Sequence, residues 1–391
     1  MTPSLRFALF FSVFFFTNGL MLAFWPVWLS DRGLDAAAIG TLLFAAQWIK
    51  VGGTLASGDL ADRFGRARPV VLALSLGGAG AMALFGLAEG YWLLLALTLL
   101  WGLTWPGILP VVDGQAMQAS MREGFDYGRA RLWGSVTFIA ATVGGGYLLQ
   151  TGGSDAIHAL ILAATVATAL AAILLPSGAA SGQGRGAGRG LMLDLLRDRN
   201  FALFLLAGGA LQVSHAAYYG FGTLDWRAKG LDDGAIGLLW AMGVVAEIVL
   251  FALGRRLAER IGVLRLLAVA AVAALVRWTA TPFIDAFPPL LAIQALHALT
   301  FGATHLAAMM FIQRYVPIGA TSSAQALYAA LPIGLGMGLA MMLSGLLYER
   351  VAGYAYLGMV VLAVLSLLAT ALLARSWRDE GVAFSASGRA P

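Results

Sequence analysis

Apolar residues do not alternate along this chain, nor do they recur in short stripes. They come in runs of about 20, separated by brief polar punctuation. A run of that length matches the hydrocarbon thickness of a bilayer when coiled as a helix. Twelve such runs are predicted, at 7–29, 37–57, 69–88, 91–113, 128–149, 157–175, 201–224, 235–253, 264–284, 290–312, 322–347 and 354–374. Membrane β-strands are excluded, because they need only 9–11 residues and show in/out alternation. The first run, Phe7 to Leu29, is too long for the apolar core of a signal peptide and ends at Asp31-Arg32 without a small-residue cleavage site, so it reads as the first span.

Composition agrees. The 391 residues are 60% hydrophobic and only 12% charged, half the charge of a typical soluble protein. The absence of cysteine removes disulfides, thiolate metal sites and cysteine nucleophiles. The net charge of +5 does not indicate a nucleic-acid partner, because the basic residues are scattered through short loops and form no block. Their distribution sets topology instead. With the N-terminus inside, 19 of the 25 Lys and Arg fall on the inner side. Arg32, Arg227, Lys229 and Arg350 fall outside, and Lys50 and Arg277 lie within spans. The positive-inside rule then puts both termini in the cytoplasm of a bacterial-type inner membrane.

A Gly/Ser-rich segment with interspersed Arg, PSGAASGQGRGAGRG from Pro176, divides the spans six and six. It is followed by Leu191–Leu196, expected as a short surface helix. The domain reading is a six-helix bundle at 1–175, a cytoplasmic linker at 176–199, a second bundle at 200–375 and a tail at 376–391. The halves repeat. Ala38-Ile39-Gly40 returns as Ala235-Ile236-Gly237, and Asp62-Arg63-Phe64-Gly65 returns as Glu259-Arg260-Ile261-Gly262, both offset by about 197 positions. Lys50 and Glu247 are related by the same offset.

Between spans two and three lies Gly58-Asp59-Leu60-Ala61-Asp62-Arg63-Phe64-Gly65-Arg66-Ala67-Arg68. This resembles the G-x-x-x-D-R-x-G-R-x-R/K signature of the major facilitator superfamily. The resemblance implies an all-α integral membrane fold of twelve transmembrane helices in two pseudo-symmetric six-helix bundles, with a site near the midplane. It makes Gly58, Asp62, Arg63, Gly65 and Arg66 a gating motif. In that reading Gly58 permits close helix approach, Gly65 a tight turn, and Asp62 latches onto a helix N-terminus or an Arg.

Ionisable groups inside spans cost roughly 2.5–3.5 kcal/mol each on insertion scales and usually face a cavity or a partner. The set here is Lys50, Asp113, Arg131, His215, Glu247, Arg277, His297 and His305. Helical spacing places Trp240 with Glu247 on one face, and Gln294, Phe301 and His305 on another with His297 at its edge. Tyr218 adjoins His215. Together they suggest an aromatic-walled cavity for a small amphipathic anion, its carboxylate held by Lys50 or Arg131. Glu247 is the first candidate proton carrier and His215 the second. Asp113 with Arg131 also fits a mutual structural pair, Arg277 a structural pairing within the second half, and His305 a packing role.

Tyr127–Ser135 resembles the opening of span five in the lactose, nucleoside and phenylpropionate permease group. His215–Phe221, Gly243–Glu247, Arg277-Trp278 and His305–Met309 look more like the phenylpropionate branch. That likeness implies proton-coupled uptake of an aromatic acid such as 3-phenylpropionate, with Asp113, Arg131, His215, Glu247, Arg277, His297 and His305 as the functional set. A nucleoside or oligosaccharide symporter and a drug or metabolite exporter stand as alternatives; span five has Gly144-Gly145-Gly146 without the following Pro of drug antiporters. No P-loop is present, and no enzyme motif is evident. The expected partners are a small solute, protons and the lipid bilayer, with no cofactor, no metal and no nucleic acid, and the chain is expected to work as a monomer.

Overall fold

The computed structural model describes residues 1–177 and 189–377, without the side chains of 189–190, 253 and 255–258. The Gly-rich middle of the linker and the tail from 378, with Arg185, Arg378 and Arg389, lie outside the described residues.

Every regular element among the described residues is helical. In chain order these are α1 (Pro3–Asp31), α2 (Ala36–Phe64), α3 (Ala67–Phe85), α4 (Tyr91–Thr104), α5 (Ile108–Glu123), α6 (Tyr127–Leu174), α7 (Arg189–Arg197), α8 (Arg199–Val213), α9 (Ala216–Ala228), α10 (Asp233–Ile261), α11 (Val263–Ala280), α12 (Phe287–Ala295), α13 (Thr304–Tyr315), α14 (Thr321–Tyr328), α15 (Met337–Val351) and α16 (Tyr356–Ser376). Coiling satisfies each backbone polar group inside its own segment, which a hydrocarbon environment demands. Several side-chain hydroxyls do the same; Thr165 and Thr168 donate to Leu162 and Ala164 carbonyls at 2.8 and 2.9 Å.

Among the described residues, ten continuous stretches are long and apolar enough to cross a membrane. Two of them are too long for one crossing. At 1.5 Å per residue, the 48 residues of α6 and the 59 of Ile318–Ser376 each exceed the roughly 30 Å hydrocarbon core more than twofold. Each contains a reversal: Gly153 at φ 71° and ψ −176° in α6, and Ala352 at φ 48°, a non-glycine residue with positive φ, after α15. Divided there, they give twelve crossings, as the hydrophobic runs predicted. The helix expected near 191–196 is present as α7.

The repeat is more extensive than its short sequence matches. α2 and α10 share bounds at an offset of 197. Gly33 and Gly230, and Gly65 and Gly262, adopt positive φ at that spacing. The Gly-Leu-Asp turns at 33–35 and 230–232 end alike, with Asp35 and Asp232 accepting from the backbone N–H of Ala38 and Ala235 at 2.8 and 2.9 Å. Asp126 and Asp198 cap α6 and α8 in the same way.

The chain forms two compact packing units. Among the described residues, one comprises 1–177 with Tyr219–Ala241, and the other 189–218 with 242–377. In the first unit, α1 lies along α6. Phe14, Trp105 and Trp101 stack face to face at 5.1 and 4.7 Å, and Trp105 donates to Asn18 Oδ1. His158 is a buried residue held on the Met82 carbonyl at 2.9 Å. Glycines let backbones touch. A Cβ on Gly53 would lie 2.6 Å from the Leu103 carbonyl oxygen, one on Gly107 would strike Ser57, and one on Gly237 would strike the Thr142 carbonyl. The Thr223 hydroxyl donates to the Ala23 carbonyl, one turn before Pro26 in α1. In the second unit, α8 packs on α16 and α13, with Phe204 stacked on Phe311 at 4.1 Å.

At the α2–α3 connection the structure corrects part of the expected latch. Gly65 does make the turn, at φ 61°. A Cβ on Gly58, however, would meet open space, so close approach is served by Gly53, Gly102 and Gly107 instead. Arg63 pairs with Asp59 at 2.8 Å, one helical turn back, while Asp62 and Arg66 are exposed.

Candidate functional site

The second packing unit buries a connected set of polar side chains around Arg277, whose side chain is 0% exposed. Arg277 lies in the last turn of α11. Its Nη1 donates to His297 Nδ1 and to Thr300 Oγ1, both at 2.9 Å, and its Nη2 donates to Gln294 Oε1 at 2.7 Å. The guanidinium carbon sits 4.7 Å from the Tyr218 ring centroid, a cation–π distance. His297 Nε2 reaches Glu247 Oε1 at 2.8 Å. On the other side, His215 Nε2 is 3.0 Å from Thr300 Oγ1. One unbroken path therefore runs from the Glu247 carboxylate through His297, Arg277 and Thr300 to His215.

Local backbone geometry places these groups. Gln294, His297 and Thr300 recur every three residues on the Phe287–Tyr315 span, and so share a face. Between α12 and α13 that span widens into a π-type turn over Ala298–Ala303, a deformation common at functional sites. Across it the rings of His297, Phe301 and His305 stack in sequence at 5.3 and 6.5 Å. His215 stands at the interruption between α8 and α9, where Ser214 closes α8 and accepts from Trp278 Nε1 at 3.0 Å. Gly243 on α10 leaves room for His297; a Cβ there would lie 3.2 Å from the imidazole Cδ2.

The electrostatics are demanding. A buried guanidinium in a membrane bundle is tolerated only with partners for its fork and a compensating charge. Gln294, His297 and Thr300 supply the former, and Glu247, one imidazole away, supplies the latter. A guanidinium has no acceptor, so His297 accepts at Nδ1 and carries its hydrogen on Nε2, facing the carboxylate.

His215, Tyr218, Glu247, Arg277 and His297 thus come together, with His305 attached through Phe301. Both terminal nitrogens of Arg277 are bonded within the second unit. The other candidates lie in the first unit. Asp113 accepts from the Tyr127 hydroxyl at 2.8 Å and lies 3.7 Å from Arg131 Nε, while the Arg131 guanidinium covers the Phe15 ring at 3.8 Å. Lys50, midway along α2, has no ion pair among the described residues. The Trp240 indole donates to Thr223 Oγ1 at 2.8 Å, which ties it to the contact with α1. Sequence reasoning missed Thr300. Its only signal was its position three residues after His297, and threonines in spans ordinarily bond their own helix.

Twelve helical crossings with a buried ionic network define a polytopic membrane protein of the carrier class. The MFS_1 like family profile matches residues 4–357. The chain is 34% identical over 371 residues to the Escherichia coli (strain K12) protein named Probable 3-phenylpropionic acid transporter, spanning 93% of this chain and 94% of that one. It is 30% identical over 386 residues to the Maltose permease of Geobacillus stearothermophilus, spanning 96% and 95%. The crystal structure of nucleoside transporter NupG superposes with a TM-score of 0.80 at 17% identity, covering 96% of this chain and 99% of that chain. The chain belongs to the MFS_1 like family and is a multi-pass transporter of the major facilitator type.

Proposed function

We propose that this transporter takes up a small aromatic carboxylate, such as 3-phenylpropionate, together with protons across a bacterial-type inner membrane. In this reading the halves 1–175 and 200–375, joined by 176–199 and followed by the tail 376–391, alternate access around a midplane site. Both termini are cytoplasmic, and the monomer is the working unit. The observation that carries the proton coupling is the 2.8 Å contact of Glu247 with His297, itself bonded to the buried Arg277. A carboxyl shielded from water and wired to a cation by one imidazole has a reason to change protonation during a transport cycle. Lys50, without an ion pair among the described residues, is the candidate to receive the substrate carboxylate. Arg131, already beside Asp113, is the second. The substrate class is supported by the name of the Escherichia coli relative.

The test is uptake of radiolabelled phenylpropionate into proteoliposomes under an imposed pH gradient. Uptake is expected to follow the gradient, and gradient-insensitive uptake refutes coupling. Glu247→Gln should retain counterflow exchange but lose accumulation; accumulation that survives the substitution removes Glu247 as the carrier. A nucleoside or oligosaccharide substrate is the second reading, favoured by the Tyr127–Ser135 segment and the maltose permease relative. Thermal stabilisation by members of a panel of aromatic acids, nucleosides and disaccharides separates the two.

A further inference from the structure

Two imidazoles meet the same guanidinium, one directly and one through a hydroxyl, and the chemistry of their neighbours dictates where each hydrogen sits. His215 Nδ1 faces the Leu211 and Gln212 carbonyls at 3.0 and 3.2 Å. Carbonyls only accept, so Nδ1 carries the hydrogen. Thr300 Oγ1 accepts from Arg277 Nη1, and its own hydrogen has two places to go: His215 Nε2 at 3.0 Å, or the His297 carbonyl at 3.5 Å. The first is a hydrogen bond of ordinary length and the second sits at the limit. The hydroxyl therefore donates to His215 Nε2 and covers the lone pair that a proton would need. On the other branch, Arg277 covers His297 Nδ1 in the same way.

We propose that Thr300 is a positioning residue whose hydroxyl, bonded by Arg277 and aimed at His215, holds His215 as its neutral Nδ1–H form and leaves the Glu247 carboxyl as the group of this network that takes up the transported proton. Protonating His215 at Nε2 forces the Thr300 hydroxyl to turn to the longer contact and sets an imidazolium against Arg277. Protonating His297 at Nδ1 requires Arg277 to withdraw. Glu247 gains a proton on its second oxygen with every one of these bonds intact. The charged and titratable groups around Thr300 all enter this balance: Arg277 from α11, Glu247 from α10, His215 and Tyr218 at the α8–α9 junction, and His297 and His305 on its own span. The role in proton transfer rests on the symport reading above; the hydrogen placement does not.

The experiment is nitrogen NMR of the full-length protein labelled with ¹⁵N-histidine, its four histidines assigned by single His→Gln variants. Protonated and unprotonated ring nitrogens resonate far apart, so each neutral form is read directly. The expected result is His215 as Nδ1–H and His297 as Nε2–H. Thr300→Ser should preserve both. Thr300→Val, which keeps the shape and removes the hydroxyl, should lose the single His215 form and move the pH profile of substrate counterflow, whereas a merely structural role would lower counterflow equally at every pH. A wild-type His215 carrying its hydrogen on Nε2, or charged, overturns the proposal even if the valine variant does not fold. So does a Thr300→Val spectrum and profile identical to wild type. Gradient-insensitive uptake with the expected histidine forms would instead refute symport while leaving the hydrogen placement standing.

Discussion

Gly237 offers a direct test of what holds the first packing unit together. Its α-carbon lies against α6, so that an added Cβ would strike the Thr142 carbonyl oxygen and lie 3.2 Å from both the Thr142 carbonyl carbon and the Val143 Cα. The reciprocal contact is as tight, with a Cβ on Gly146 lying 3.1 Å from the Asp233 carbonyl carbon and 3.3 Å from the Gly237 Cα. These neighbours are backbone atoms and cannot turn aside as a side chain would. Gly237→Ala must therefore separate the two helices, at the 1–3 kcal/mol typical of overpacking, about 1–3 kcal/mol here as well. A transporter that alternates between states, and makes this contact in only one of them, would shift its population by about 5- to 150-fold for that cost. The chain contains no cysteine, so a single reporter is unambiguous. Thr142→Cys is nearly isosteric at a fully buried position, and its maleimide labelling rate reads opening of the contact. Adding Gly237→Ala should raise that rate by the factor above, while adding Gly144→Ala, whose Cβ would meet nothing within 4 Å, should leave it alone. Equal rates in all three folded proteins would show that the glycine contact does not hold the helices together.

Two further outcomes are expected. Arg277→Ala leaves Glu247 buried beyond reach of its cation and should cost about 3–5 kcal/mol; Arg277→Lys restores charge without the fork and should recover only part of it, as read by thermal denaturation in detergent, and equal melting of the two variants would contradict the fork's role. Lys50→Gln should abolish uptake with little change in melting temperature, because no ion pair among the described residues is lost; uptake at the wild-type rate would remove Lys50 from the substrate site.

The helical runs and the turn at Gly65 were legible in the chain itself. An apolar run of 20 residues in hydrocarbon has one way to satisfy its backbone, and Gly33, Gly65, Gly230 and Gly262 stand where positive φ is required. The candidate site was legible as a set of residue types, since ionisable groups are scarce in spans. Their grouping was not. The same repeat that relates Lys50 to Glu247 leaves them in different packing units, and Trp240, on the Glu247 face by spacing, is bonded to Thr223 in the first unit. The signature loop was recognisable without disclosing that Gly58 faces open space or that Arg63 turns back to Asp59.

What the sequence alone determined is the membrane-spanning helical class, the crossing number and the repeat, because all three follow from local chain properties: run length, turn glycines and a constant offset. What only the tertiary structure decided is which faces meet. Thr223 finds the Ala23 carbonyl across 200 positions and His215 finds Thr300 across 85. Such pairings depend on how closely helices approach, which a glycine or a π-type turn changes by ångströms, and a hydrogen bond is made or lost over less than one.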